Sequence, residues 1–199
     1  PGSGFALRFE ALADPAVLDD EHPAARTGGM TGYESYCRVT GTVTVGGRTR
    51  RVDGFGQRGH SWGAPDWERL TMARTMSVWL DEGHAVSLTA IRDKRASAHD
   101  AEAVAAYLLS PGPGDGDAPP AWRLVDEPLL STTYDGEGRQ RSAGLELYET
   151  EESPARRAAG EAVCGTTLDL GRLRLDCAFF RWRMEGREGV GRYDVLRRV

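Results

Sequence analysis

The sequence lacks several features that would place it in a specialised class of proteins. Its 199 residues include three cysteines, Cys37, Cys164 and Cys177, which are too few and too far apart for a disulfide framework or a cysteine-rich zinc site. No apolar run approaches the roughly 18 residues of a membrane-spanning helix. The first residues show no basic start followed by an apolar core, so no export signal is evident. These absences favour a soluble protein in a reducing, cytoplasmic setting.

Lysine is also nearly absent, since Lys94 is the only lysine among 25 basic residues. These are outnumbered by 30 acidic residues, which gives a formal net charge of −5. The arginine pairs stand among carboxylates instead of forming one basic face, so we expect no nucleic-acid partner. With 40% hydrophobic residues, the composition is that of a globular domain with one core.

What the sequence does contain is the two-residue alternation of half-buried strands. Apolar and polar residues alternate from Tyr33 to Val45, Gly46-Gly47 can form a type I′ turn, and residues 48–55 return as the partner strand. A second hairpin is predicted for 70–80 and 84–92. Residues 100–109 have helix-forming alanines, but their surroundings favour a strand.

Turn signals about every ten residues in the remaining chain predict an all-β fold, an antiparallel barrel or sandwich. Further strands are expected near 129–134, 145–148, 168–184 and 190–199. Residues 1–32 have turn chemistry and little periodicity, which predicts a linker or arm before a β domain at 33–199. Residues 110–121 are rich in Pro and Gly and predict a mobile loop within that domain.

One segment, residues 54–67, concentrates the residues that carry chemistry. Indole rings supply rigid apolar walls, and a histidine with a pKa near neutrality can give or take a proton. We interpret the segment as a glycine-rich turn at the mouth of a pocket. The candidate catalytic residues are His60 and Asp66, and the candidate substrate-binding residues are Arg58, Ser61, Trp62, Trp67 and Arg74. Arg74 is included because a charge on an apolar strand face must be paired or line a wet cavity.

Other chemistries fit this segment less well. Gly59 to Gly63 matches the Gly-x-Ser-x-Gly nucleophile elbow, but an elbow needs a following helix, whereas a strand is predicted here. A serine hydrolase that uses Ser61 therefore stays an alternative. No helix follows the glycines to bind a phosphate, and no spacing requires that His60, His84 and Asp66 hold a metal. A module that binds a hydrophobic ligand without catalysis is the remaining alternative.

The run Gly-Phe-Gly-x-Arg-x-His-Ser-Trp-Gly, followed by Asp-Trp and a strand, resembles a known family. It is similar to the second half of the calycin-related, lipocalin-like proteins that include carotenoid 1,2-hydratases, lipocalin-like Diels–Alderases and tocopherol-cyclase-like proteins. The likeness is nearest to a bacterial branch with a His-Ser-Trp-Gly motif. The ending, from Phe180-Arg181-Trp182-Arg183 to Tyr193, resembles the last strands of that branch.

The resemblance implies a lipocalin-like barrel, one half of a two-lobed architecture, that performs acid–base chemistry without a cofactor. The implied reaction is hydration, isomerisation or cyclisation of a hydrophobic isoprenoid- or polyketide-like molecule. Where that branch has an acidic residue before the histidine, this chain has Gly59, so the acid must be His60, Asp66 or Asp53. A half-sized fold would leave strands uncovered, so we expect a homodimer or a separate N-terminal lobe as partner.

Overall fold

The computed structural model describes residues 2–96, 102–112, 119–150 and 152–199. Apart from one short helix, α1 (Pro23–Gly28), the regular structure in these residues is β-strand, which confirms the all-β prediction. The strands are β1 (Gly4–Ala11), β2 (Ala16–Leu18), β3 (Met30–Val45), β4 (Arg48–Gly63), β5 (Leu70–Asp81), β6 (His84–Asp93), β7 (Glu102–Ser110), β8 (Ala121–Leu124), β9 (Glu127–Tyr134), β10 (Gln140–Tyr148), β11 (Arg156–Asp169), β12 (Leu173–Met184) and β13 (Arg187–Arg198).

The larger sheet has nine antiparallel strands in the order β8-β7-β6-β5-β13-β12-β11-β10-β9. Its first and last strands, β8 and β9, are joined by only Val125 and Asp126, so the two edges of the sheet must lie close together. The amide of Val125 donates to the carbonyl of Ala106 on β7, and that of Asp126 donates to the carbonyl of Tyr148 on β10. The sheet therefore curls round as in lipocalin-like folds.

Large side chains fill the inside of the curled sheet. Phe180, Trp182 and Tyr193 are fully buried, with the Phe180 ring centroid 5.6 Å from that of Trp182 and 5.5 Å from that of Tyr193. Aliphatic residues such as Met76 and Leu145 complete this core. The alternation of β12 explains the packing, because Ala178, Phe180, Trp182 and Met184 point inward and their neighbours point outward.

The smaller sheet is built on β3, which pairs with β1 and β2 along one edge and with β4 along the other. The predicted hairpin is confirmed, and both turn glycines have positive φ, 58° for Gly46 and 78° for Gly47. The sheet packs against the outer face of the larger one, where Tyr36 contacts Trp79 and donates from its hydroxyl to the carbonyl of Asp81 at 2.8 Å. The space between the two sheets holds the candidate site.

Residues 1–32, for which the sequence predicts a linker or arm, carry β1, β2 and α1 instead of irregular chain. The edge of β3 supplies the backbone hydrogen-bond partners of β1, which the local sequence of β1 does not indicate. Phe5 and Phe9 remain exposed on β1. The turn-forming residues Asp14-Pro15 and Asp19-Asp20 fall between these elements. The division of the chain at residue 32 stays a prediction.

Several sequence predictions concern the other strands. The predicted second hairpin corresponds to β5 and β6, and the ambiguous segment at 100–109 is strand β7 from Glu102 onward. Much of the predicted mobile loop, residues 113–118, lies outside the described residues. The strand predicted for 168–184 is two strands, because the chain turns at Gly171, whose φ is 78°. No helix in the described part of the chain is long and apolar enough to cross a membrane.

Candidate functional site

The segment at 54–67 is not the turn that its glycines predict. Residues 54–63 form the second half of β4 and pair residue by residue with β3, from Val39 opposite Gly54 to Met30 opposite Gly63. Backbone pairing with a long neighbouring strand outweighs the turn preference of the glycines. Ser61 therefore lies inside a strand, and the strand-to-helix geometry of a nucleophile elbow is not formed there.

Strand alternation divides the predicted site residues between the two faces of β4. His60 and Trp62 lie on one face with their ring centroids 5.5 Å apart, and Tyr33 of β3 lies 6.2 Å from His60. Arg58 belongs to the same face, which is largely exposed, with Trp62 at 52%. Ser61 belongs to the opposite face, which looks toward the larger sheet.

Asp66 and Trp67 follow the strand and lie outside the cavity between the sheets. The carboxylate of Asp66 accepts from the amide of Glu68 at 2.9 Å, and its carbonyl accepts from the amide of Leu70, so this residue closes a turn. Trp67 packs against a small core cluster that includes Leu70 and Ile91. Their positions give these two residues a structural role at the start of β5.

The cavity between the sheets has a volume of about 180 Å³. Hydroxyl groups from β5, β6 and β7 form one wall, and the end of the smaller sheet forms the other. The residues that line it are Ala16, Leu18, Met30, Thr31, Gly32, Tyr33, Glu34, His60, Ser61, Thr75, Ser87, Thr89, Tyr107 and Arg192. Of the seven predicted site residues, His60 and Ser61 border this cavity. Ser61 lies on the strand face toward the larger sheet, whereas the ring of His60 lies on the opposite, exposed face beside Trp62.

Glu34, which the sequence did not single out, places a carboxylate in this cavity. Its Oε2 accepts from Nε2 of Gln57 at 2.7 Å, and Oε1 of Gln57 accepts from the indole of Trp79 at 3.3 Å. The carboxylate lies over Gly59, its partner in the β3–β4 pairing. A Cβ atom at Gly59 would lie 2.4 to 2.6 Å from the carboxylate atoms of Glu34. The glycine therefore provides the space that the carboxylate occupies.

The electrostatics of the cavity raise the pKa of its carboxyl groups. Burial raises the pKa of the Glu34 carboxyl above its ordinary value, although the positive charge of Arg192 and the hydrogen bond from Gln57 oppose the shift. Arg192 also forms an ion pair with Asp194, with 2.9 Å between Nε and Oδ2, and burial raises the pKa of Asp194 as well. One arginine thus lies between two carboxyl groups whose pKa values are both raised.

Arg74 lies on the other side of β5 from the cavity. Thr75 lines the cavity, whereas the neighbouring Arg74 points into the curled sheet, where only 5% of it is exposed. There it pairs with Glu102 and donates to the hydroxyls of Thr132 and Tyr193 at 3.2 and 3.3 Å. The structure therefore separates Arg74 from His60, with which the sequence grouped it.

The alternation of β3 contained a signal for Glu34, because it places this residue on the same face as the buried Tyr36. The sequence contained no comparable signal for Arg192. This residue reaches the cavity because β13 pairs with β5, and that pairing could not be read from the local sequence. No group of three or more His, Cys, Asp or Glu among the described residues is placed to hold a metal ion.

Three comparisons relate the chain to known proteins. A family model described as "Domain of unknown function (DUF7064)" matches residues 2–199. The search among curated proteins found no match. The structure is similar to the crystal structure of kievitone hydratase from Nectria haematococca, with a TM-score of 0.60 and 11% sequence identity. The match covers 98% of this chain and 61% of the hydratase, so the chain spans less than two thirds of that protein, and the likeness extends to the lipocalin-like fold.

Proposed function

The chain belongs to the DUF7064 family, and we propose that it is an acid–base enzyme of the hydratase type that works without a cofactor. The observation that carries the proposal is the half-buried carboxyl of Glu34, which lies over Gly59 in the cavity between the sheets and has a raised pKa. The shared fold with a hydratase supports this class of reaction. Isomerisation and cyclisation need the same proton donor and stay within the proposal.

We place the acid at Glu34 and not at Asp66, because Asp66 lies outside the cavity lining and closes a turn. The resemblance in sequence places an acidic residue before the histidine, where this chain has Gly59. The carboxylate of Glu34 reaches this position from the partner strand. In this proposal the acid stays in the same place as in the related family, but Glu34 on the partner strand provides it instead of the residue before His60.

In the direction of hydration, the Glu34 carboxyl donates its proton to one carbon of an alkene. A water molecule then adds to the neighbouring carbon, and the Glu34 carboxylate accepts the proton that this water loses. This transfer restores the starting state, and the reverse sequence gives dehydration. Arg192 stabilises negative charge that develops on the substrate, or on Glu34 after it has donated its proton.

The lining of the cavity supports the proposed substrate class. Apolar surface from Ala16, Leu18 and Met30 suits an isoprenoid- or polyketide-like hydrocarbon, and hydroxyls from Thr75 and Tyr107 can bind its polar groups or the water. The volume of about 180 Å³ is below that of most ligand sites. It suits the reacting end of such a molecule, with the remainder extending beyond the cavity.

The test uses alkenes of this class, geraniol and 2-prenylphenol, in water labelled with ¹⁸O. Mass spectrometry then measures oxygen uptake by the native chain and by Glu34→Gln. We expect a rate lower by about 10²- to 10⁴-fold in the variant, and no change in Glu10→Gln, a control at an exposed residue of β1. Equal rates in native chain and Glu34→Gln would contradict the assignment of the acid.

A relocated carboxylate gives a sharper test. The variant Glu34→Ala/Gly59→Asp moves the acid to the partner strand, where the space left by Glu34 receives the new side chain. We expect this variant to recover part of the activity that Glu34→Ala loses. If the native chain binds the alkenes and never turns them over, it is a ligand-binding module. Labelling of Ser61 by a fluorophosphonate would favour the serine hydrolase.

Association with a second copy, or with a separate N-terminal lobe, stays a prediction from the sequence. Sedimentation velocity at micromolar concentration checks it, with a homodimer expected for the isolated chain. A monomer under these conditions would contradict homodimerisation.

A further inference from the structure

A second cavity, of about 360 Å³, opens at one end of the curled sheet. It lies on the opposite side of β5 from the first cavity, because Arg74 lines the second and Thr75 lines the first. The residues that line it are Met72, Arg74, Arg92, Leu130, Thr132, Tyr134 and Arg197. The inside of the sheet beyond this opening is filled by the buried aromatic core, so a ligand would stay at the opening.

Positive charge exceeds negative charge around this cavity. Glu102 is shared by Arg74 and Arg92, with 3.0 Å between Oε1 and the Arg92 Nη2. The second carboxylate, Asp176, is likewise shared, by Arg197 at 2.8 Å and by Arg174 at 3.1 Å. The three arginines that line the cavity therefore meet two carboxylates, which leaves an excess of one positive charge among these groups.

The protein does not satisfy all polar atoms of this arginine cluster. The Nε atoms of Arg74 and Arg197 are buried and have no hydrogen-bond partner among the described residues. Oε1 of Glu102 likewise accepts no hydrogen bond among them, although Arg92 lies 3.0 Å away. Arg74 as a whole is 5% exposed, and a buried charged donor without an acceptor is costly. An anion in this cavity would place negative charge beside these guanidinium groups.

Apolar groups lie beside the arginines. Met72 and Leu130 line the cavity, and the ring of Tyr134 stacks under the guanidinium of Arg197 at 5.6 Å. We propose that this second cavity binds a small organic anion, with its charged group against Arg74, Arg92 and Arg197 and an apolar body on Met72, Leu130 and Tyr134. A carboxylate and a phosphate monoester share this chemistry, and the experiment below distinguishes them.

The proposal is tested by calorimetric titration with three ligands of one shape: benzoate, phenyl phosphate and the neutral benzamide. At least one of the anions should bind about tenfold or more tightly than benzamide, because only an anion forms charge-assisted hydrogen bonds with the guanidinium groups. The stronger of the two anions identifies the charged group. Equal binding of benzamide and both anions, or no binding of any anion, would overturn the proposal.

The variant Arg92→Gln connects the binding to this cavity. Arg92 is 37% exposed at its side chain, so its replacement leaves the core intact, whereas removal of Arg74 would leave Glu102 buried without its main partner. We expect about tenfold weaker anion binding in Arg92→Gln and no change in Arg50→Gln, which alters an exposed hairpin residue. Unchanged binding in Arg92→Gln would also overturn the proposal.

The second site is independent of the proposed catalytic function. Glu34→Gln removes the acid from the first cavity and does not touch the lining of the second. We therefore expect this variant to bind the anion as the native chain does. Loss of anion binding in Glu34→Gln would place the ligand in the first cavity and would contradict the inference.

Discussion

The contact between Glu34 and Gly59 gives a prediction with a magnitude and a matched control. In Gly59→Ala the new Cβ would overlap the Glu34 carboxylate, which must swing away because it is the flexible end of its side chain. The carboxylate then loses the hydrogen bond from Gln57, and a hydrogen bond to a charged group contributes about 1.5 to 3 kcal/mol. The reduced flexibility of the unfolded chain returns about 0.5 to 1 kcal/mol, so the net loss of stability is about 0.5 to 2.5 kcal/mol.

Gly54→Ala is the control on the same strand. No atom lies within 4 Å of a Cβ at Gly54, so this replacement should leave stability unchanged or raise it by about 0.5 kcal/mol. Urea unfolding followed by far-ultraviolet circular dichroism measures both variants.

The same pair is then measured with Glu34→Ala as the parent chain. Once the carboxylate is absent, Gly59→Ala should behave as Gly54→Ala does, which corresponds to a coupling energy of about 2 kcal/mol between positions 34 and 59. An equal effect of the two replacements in the native chain would refute the reasoning. So would a cost of Gly59→Ala that persists in Glu34→Ala.

Three further predictions concern the carboxyls, the core and the thiols. Burial raises the pKa of Glu34 and Asp194 in the folded chain, so the stability from their protonation is present below the unfolded pKa of about 4 and is lost as pH rises through the folded pKa; relative to Glu34→Gln/Asp194→Asn, the native chain should lose stability between pH 4 and neutrality in urea unfolding. Phe180→Ala should cost about 3 to 5 kcal/mol, because this side chain is fully buried, whereas Phe179→Ala, at a side chain 46% exposed, should cost much less in the same assay. Cys164 is exposed and should react with a chromogenic disulfide before the other two cysteines, whose pKa values burial raises; equal rates for all three would contradict the packing.

The hairpins could be predicted because their information is local. Gly46 and Gly47 supply the two positive φ angles of the turn, and the alternation on either side sets the register. Strand β1 could not be predicted in this way, since its formation depends on the free edge of β3 and not on its own periodicity. The strands that the local sequence did not indicate, such as β1, therefore form through backbone pairing with strands that are distant in sequence.

The candidate site was only partly predictable for the same reason. The motif around His60 and Ser61 does reach the cavity, because both residues lie near the end of β4. Glu34 and Arg192 come from strands that are distant in sequence, and only the packing of one sheet on the other brings them together. Arg74 lies on the other side of β5 from His60. Alternation shows which residues share a face of a strand, but it does not show which part of the protein packs against that face.

Glycine in the middle of β4 is costly, because it loses more conformational freedom on folding than other residues and contributes no side chain. At Gly59 the missing side chain leaves space for the carboxylate of Glu34, which lies directly against the strand backbone. A carboxyl in that position loses water on one side while Gln57 holds it in place, and this desolvation is the main cause of its raised pKa. A longer side chain at position 59 would push Glu34 into solvent and return its pKa toward the ordinary value. The glycine-rich composition of the segment, which suggested a turn, is thus the feature that allows a carboxyl with a raised pKa to lie on a strand pair.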